Sequence, residues 1–228
     1  MALLTAEECS ALRLSLQVGV CSAMIGLPLA VAISYLLARA TFWGKWLLEV
    51  VIDLPLVLPP VVTGYLLLIA FAPHGPIGAF LAGWLGIKIV FTWLGAVLAS
   101  AVVSFPLMVR AIRLAFQAVD PRLEMAARSL GASRLAAFFT VTLPLARRGL
   151  VAGWILGFAR SLGEFGATIT VADNIAGKTQ TIPLAIYTLS SRPEGMQQAW
   201  RLVGLSILLA AAALAAGRWL EMAHKRTG

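Results

Sequence analysis

The chain of 228 residues is 60% apolar and only 12% charged, with a mean hydropathy of +0.90, where soluble domains carry about 25% charged residues. So few charges cannot clothe a core of this size, which excludes a water-soluble fold and makes a bilayer the natural solvent. The net charge of +8 comes from 18 basic residues scattered between apolar runs, without the stripe or tail that a nucleic-acid partner requires.

The N-terminus reads MALLTAEECS, with Glu7 and Glu8 where a signal peptide carries Lys or Arg. Residues 1–11 are expected to be a short extracytoplasmic segment, and the apolar run over 14–37 a retained span. Cys9 and Cys21 form no CxxC pair and have no His nearby, so neither suggests a metal site. Further runs near 20 apolar residues lie at 47–71, 89–109, 150–172 and 200–218. In the second run Pro55, Pro59 and Pro60 break the hydrogen-bond ladder, and irregular backbone at membrane depth is expected to face a cavity or gate. Asp53, at one end of that run, either repels anions or pairs with a basic neighbour. PHGPIG is a turn signal, and GAFLAGWLG after it predicts a short interfacial or re-entrant helix.

The chain is thus expected to be an all-α integral membrane protein with five spans and its termini on opposite sides. Basic residues decide which side is which. Arg39, Lys45, Arg110, Arg113, Arg122, Arg128, Arg134, Arg147, Arg148, Arg218, Lys225 and Arg226 fall on one side; Arg13, Lys88, Lys178, Arg192 and Arg201 fall on the other. The richer side is cytoplasmic, so the N-terminus is outside and the C-terminus inside. Trp43, Trp46 and Trp219 then anchor the inner interface, and Trp84 and Trp93 the outer one.

The segment 110–148 is the only long hydrophilic stretch. Asp120 followed by Pro121 reads as an N-cap with proline at the first helical position, and Gly131 as the left-handed residue past a helix end. Leu123, Ala126, Ala127 and Leu130 form a narrow apolar stripe on that helix, while Arg122, Glu124 and Arg128 face elsewhere. Ser133 caps a second short helix, which is expected to end or kink near Pro144. The first helix either lies on lipid or docks into another protein. Its small residues favour docking, because lipid-surface helices carry bulkier apolar faces.

DPRLEMAARSLGAS followed by FFTVTLPL resembles the EAA loop of the permease subunits of bacterial binding-protein-dependent ABC importers. Ala126, Ala127, Gly131, Leu143 and Pro144 match the family spacing, Met125 stands at the motif glutamate with Glu124 one residue early, and Val141 replaces the isoleucine. DLPLVLPPVVTGYLLL, SFPLMVRAIRLAF and RSLGEFGATITVADNIAGKTQTIPLAIYTL extend the resemblance, to the molybdate permease branch, over nearly the whole chain. The resemblance implies a type I ABC importer permease fold over 12–217 in the bacterial inner membrane. It also implies a channel formed with a second copy, two cytoplasmic ATPase subunits and an extracytoplasmic molybdate-binding protein. ATPase coupling would then fall to Asp120, Pro121, Leu123, Glu124, Ala126, Ala127, Arg128, Leu130, Gly131, Ala132, Leu143 and Pro144. Molybdate, tungstate and sulfate are all tetrahedral dianions, so the cargo rests on the resemblance alone. The chain is expected to lack the extra N-terminal span of some relatives, and its tail at 218–228 is expected to be too short for their sensory domain.

In the fourth run Gly149, Gly153, Gly157 and Ser161 recur every four positions, a stripe that lets helix backbones approach. Arg160 and Glu164 can pair within the span, either to mark a pathway or to fix the bundle. Thr63, Ser104, Ser161 and Thr168 are the remaining candidate lining groups of a low-affinity conduit. No P-loop, HExxH or GxSxG is present, and His74 and His224 are isolated. The chain is therefore expected to need no cofactor or metal and to leave ATP hydrolysis to a partner. A lipid-modifying enzyme would need polar residues gathered at one interface, and none are. An ion-coupled carrier would use Asp53 and Glu164 as coupling acids.

Overall fold

The computed structural model describes residues 5–225, with side chains described up to residue 217. The tail expectation at 218–228, with Arg218, Trp219, His224, Lys225 and Arg226, concerns side chains outside the described residues. Among the described residues every regular element is helical.

Helix α1, Ala6–Arg39, starts earlier than the hydropathy of the first run implies. The cause is a capping box: the Thr5 hydroxyl accepts from the Glu8 backbone N–H and the Glu8 carboxylate from that of Thr5. The second run is not one straight crossing but α2, Lys45–Val57, and α3, Pro60–Phe71, set 113° apart. Leu58 and Pro59 are extended between them, because a residue before proline is driven out of the helical region, while Pro60 is tolerated in the first turn of α3. Pro55 lies inside α2 without breaking it. The short helix expected after PHGPIG is α4, Pro76–Leu85, stopped by left-handed Gly86. Helix α5, Trp93–Ala118, runs well past the predicted end of the third span.

After α6, Pro121–Ser129, the end or kink expected near Pro144 takes the form of a π-helical turn just before the proline. Short α7, Arg134–Ala137, continues through a π-helical turn, Phe138–Thr142, into α8, Leu143–Leu162. The wide turn, in which the Leu143 N–H reaches the Phe138 carbonyl, absorbs the missing donor and the ring of Pro144. The fourth span therefore begins near Arg134 and ends at Leu162, where Gly163–Phe165 separates it from α9, Gly166–Ala172. Helix α10, Ile182–Ser190, and α11, Met196–Lys225, complete the fold. Among the described residues four helices are long and apolar enough to cross a membrane, or five segments if the bent α2–α3 pair counts as one span.

Helices α1, α5 and α8 form the core around Ala30, Leu37, Met108, Ile112, Phe116 and Ala146. The small-residue stripe makes this approach possible. A Cβ on Gly149 would stand 2.0 Å from that of Ala115, and one on Gly153 2.6 Å from Ile112 Cγ1. Helix α2 is fastened to α5 by two ion pairs one turn apart, Arg110 with Asp53 at 2.7 Å and Arg113 with Glu49 at 2.9 Å. Asp53 is thus paired with a basic neighbour, one of the two readings left open by the sequence. The outward faces of α2, α3 and α11 expose Val50, Leu54, Val61, Ile69, Ile207 and Leu208, a surface suited to lipid or to another membrane chain.

Candidate coupling helix and pathway

Helix α6 is built as its sequence specifies at both ends. The Asp120 carboxylate accepts from Arg122 N–H with Pro121 in the first turn, and Gly131 sits at φ +96° while Ala132 N–H closes onto the Ala127 carbonyl. None of its residues is buried. Leu123, Met125 and Ala126 are exposed, and Leu130 just beyond is 89% exposed. The expected apolar stripe is therefore an open face projecting from the body, with Ala127 half-buried at its edge.

What fixes α6 to the body is a residue that the sequence grouped with the outward charges. Glu124 turns inward: its Oε1 accepts from the Tyr35 hydroxyl at 2.7 Å and its Oε2 from the Thr142 hydroxyl at 3.1 Å. Arg39 Nε lies 4.0 Å from the same carboxylate, and Arg39 Nη2 donates to the Val119 carbonyl at 2.9 Å. Beneath this cluster Tyr35 meets Phe116 and Phe138 edge-on, with the Tyr35 and Phe138 centroids 4.8 Å apart, and the two phenylalanine rings lie tilted to each other. Arg128, four residues on from Glu124, lines the same side of the helix. Leu143 packs on the core and Pro144 is exposed at the root of α8, so the two are not part of the α6 face. Tyr35, Arg39 and Thr142 were missed as site residues, and no local signal marks them, since Tyr35 is 89 residues from its partner.

The four hydroxyls expected along the pathway are all buried within the chain. Ser104 is fully buried and donates within its own helix to the Ala101 carbonyl. Ser161 is buried between helices, accepting from the Ser22 hydroxyl at 2.8 Å and donating to the Gly157 carbonyl. Thr168 is buried and bonded to the Phe165 carbonyl, and Thr63 is buried with its hydroxyl unpaired. Of the four, Ser161 joins two helices, whereas Ser104 and Thr168 bond to carbonyls of their own segment. Membrane hydroxyls satisfy helix carbonyls as readily as they line water.

Arg160 and Glu164 do meet, at 2.7 Å. Glu164 is only 2% exposed, and its other oxygen accepts from the Ala167 N–H, so the carboxylate caps the start of α9 while its charge is balanced by Arg160, 30% exposed. The pair holds the α8–α9 break. Beside that break, α8, α10 and α11 border an open, mainly apolar groove of about 610 Å³, with Leu162, Phe165, Ile186 and Tyr187 in its wall. At the end of the molecule remote from α6, Arg13, Gln17, Thr92 and Lys178 line a polar pocket of about 590 Å³. Pro59 is exposed at the α2–α3 bend, and Pro55 and Pro60 are half-buried beside it. No group of His, Cys, Asp and Glu suited to a metal occurs among the described residues.

An all-α membrane body with a capped, outward-facing helix held between two spans defines a transport component. The chain belongs to the family of binding-protein-dependent transport system inner membrane components, which matches residues 26–227. It is 55% identical over 214 residues to a Haemophilus influenzae molybdenum transport system permease protein, covering 94% of this chain and 93% of that one. To the Escherichia coli K12 molybdenum transport system permease protein it is 53% identical over 227 residues, covering 99% of each. A solved bacterial alginate ABC transporter, in complex with a pentasaccharide-bound periplasmic protein, has the same fold at a TM-score of 0.70 and 16% identity, covering 98% of this chain and 80% of that one. The type I importer permease fold expected from the sequence is therefore the fold found.

Proposed function

We propose that the chain is the permease subunit of a molybdate importer, with its N-terminus outside and α6 in the cytoplasm. One structural observation carries the coupling role: α6 buries nothing of its own, is pinned by Glu124, and presents Leu123, Ala126 and Leu130 outward. Such a helix is a handle. Two ATPase subunits grip the α6 helices of two copies of the chain, and closure of the ATPases drives the α6 helices together and rocks the spans between inward-open and outward-open states. Asp120, Pro121 and Gly131 fix the ends of the handle, and Leu143 and Pro144 root it in α8.

Molybdate as cargo is supported by the molybdenum transport relatives that match nearly end to end. The chemistry of the conduit agrees. A dianion needs favourable entry and weak binding if it is to leave, and within the spans Arg160 is already neutralised by Glu164. Affinity then resides in an extracytoplasmic binding protein that meets the end carrying Arg13 and Lys178. The α2–α3 bend at Pro59 is the gate of this account, with Pro55 and Pro60 flanking it.

The test is copurification with the ATPase in mild detergent. Wild-type chain retains the ATPase, while Gly131→Asp, which puts a side chain at φ +96°, and Glu124→Arg, which places a cation against Arg39, lose it. Uptake that collapses with a protonophore while ATP is maintained would overturn the reading in favour of an ion-coupled carrier.

A further inference from the structure

At the α6 end of the molecule, α1, α6 and α7 border an open groove of about 690 Å³. One wall is apolar, built from Ala32, Leu36, Leu135 and Phe138, and the other carries three guanidinium groups against a single carboxylate. That carboxylate, Glu124, already accepts from Tyr35 and Thr142. Arg39 Nε is buried without an acceptor, and neither Arg128 nor Arg134 has an ion-pair partner among the described residues. The groove therefore combines unpaired positive charge with spare hydrogen-bond donors.

The apolar wall does not stop at the groove. Ile25, Leu29, Ala32 and Leu36 recur along the exposed face of α1, a stripe about 16 Å long at 1.5 Å per residue. It leads from the arginines toward the middle of the span, the direction an acyl chain takes. Phe42, Trp43 and Trp46 are exposed just beyond Arg39, where aromatic side chains meet headgroups.

We propose that this groove binds an anionic phospholipid, its phosphate held by Arg128 and Arg134 and one acyl chain laid along the α1 stripe. A free oxyanion would satisfy the arginines and leave the apolar wall wet. A zwitterionic lipid would cover the wall and leave the charge excess unbalanced. Only an anionic lipid matches both halves, as basic pockets between spans do elsewhere. The bound lipid bridges α1 to α6 and α7 and so sets how firmly the coupling helix is held. That consequence, and the assignment to the inner leaflet, rest on the role and orientation proposed above; the binding itself does not.

The test is native mass spectrometry of the purified chain titrated with phosphatidylglycerol or phosphatidylcholine, in which failure of the transport reading leaves the lipid result unaffected. Phosphatidylglycerol is retained and phosphatidylcholine is not. Arg134→Gln weakens retention about fivefold, and Arg128→Gln with Arg134→Gln about 30-fold. Lys178→Gln, at the opposite end, changes nothing. Ala32→Trp fills the apolar wall, keeps every arginine, and also weakens retention. Equal retention of both lipids, or unchanged retention in the double variant, overturns the proposal. So does displacement by millimolar inorganic phosphate or molybdate, which assigns the groove to a free oxyanion, or by the ATPase partner, which assigns it to a protein carboxylate.

Discussion

Replacing Glu124 by alanine tests the idea that one carboxylate holds the coupling helix. Because α6 buries none of its residues, its attachment rests on the bonds from Tyr35 at 2.7 Å and Thr142 at 3.1 Å and on the nearby Arg39. Hydrogen bonds to a charged group are worth about 1.5–3 kcal/mol each, so losing both amounts to about 3 kcal/mol or more. At about 1.4 kcal/mol per factor of ten, the local opening of α6 becomes roughly 100-fold more populated. The assay is hydrogen exchange of the α6 amides in the purified chain, which reads local opening below the global limit. Glu124→Ala loses roughly two decades of protection over Pro121–Ser129, while α5 and α8 keep theirs. Tyr35→Phe loses about one decade, and the double variant is no worse than Glu124→Ala because the two changes remove one shared bond. In the assembled transporter Glu124→Ala hydrolyses ATP with little transport. Unchanged α6 protection in Glu124→Ala, or additive losses in the double variant, would refute the reasoning.

The glycine stripe yields a graded series in thermal unfolding. Gly149→Ala is the most damaging, because its methyl meets the fixed Cβ of Ala115, whereas at Gly157 it meets the Met108 thioether, which can turn aside; a Gly157→Ala chain no more stable than Gly149→Ala would be inconsistent with that packing. Glu164→Ala leaves Arg160 without its partner and the Ala167 N–H without its acceptor, a loss of about 3 kcal/mol, and Glu164→Gln is milder. Stability and transport fall together in this pair of variants, while transport lost at full stability would return Glu164 to the pathway. Asp53→Arg disrupts the α2–α5 contact and Asp53→Arg with Arg110→Asp restores it. Since both groups are substantially exposed, the change is about 1 kcal/mol or less, and failure of the swap to restore uptake argues for anion repulsion by Asp53.

Features with local causes were legible in the sequence, and those with distant causes were not. Asp120, Pro121, Ser133 and Gly131 act on backbone within a few residues, so the caps and stop of α6 follow directly from their chemistry. The stripe of Gly149, Gly153 and Gly157 was equally visible, as was the presence of up to five apolar segments, though not their bounds. A hydropathy window sums composition and carries no direction, so it merged α2 and α3 despite the visible prolines and could not yield a bend of 113°. The same window missed the start of α1, although the Thr5–Glu8 capping box was in plain view. At Pro144 the chain continues through a π-helical turn that accommodates the proline, a geometry that the position of the proline alone does not specify. Glu124 was grouped with the outward charges by polarity alone. Its partner Tyr35 and the Ser22 that bonds Ser161 lie 89 and 139 residues away, beyond any local pattern.

The central claim is that this chain carries molybdate inward by coupling through α6. Its most direct test is the molybdenum, tungsten and sulfur content of cells lacking the gene, grown at limiting oxyanion and complemented with wild-type or Gly131→Asp chain. The account predicts a selective molybdenum deficit, repaired by the wild-type chain and not by Gly131→Asp. Unchanged molybdenum with a fall in tungsten or sulfur, or a molybdenum deficit that Gly131→Asp repairs as well as the wild type does, would contradict it.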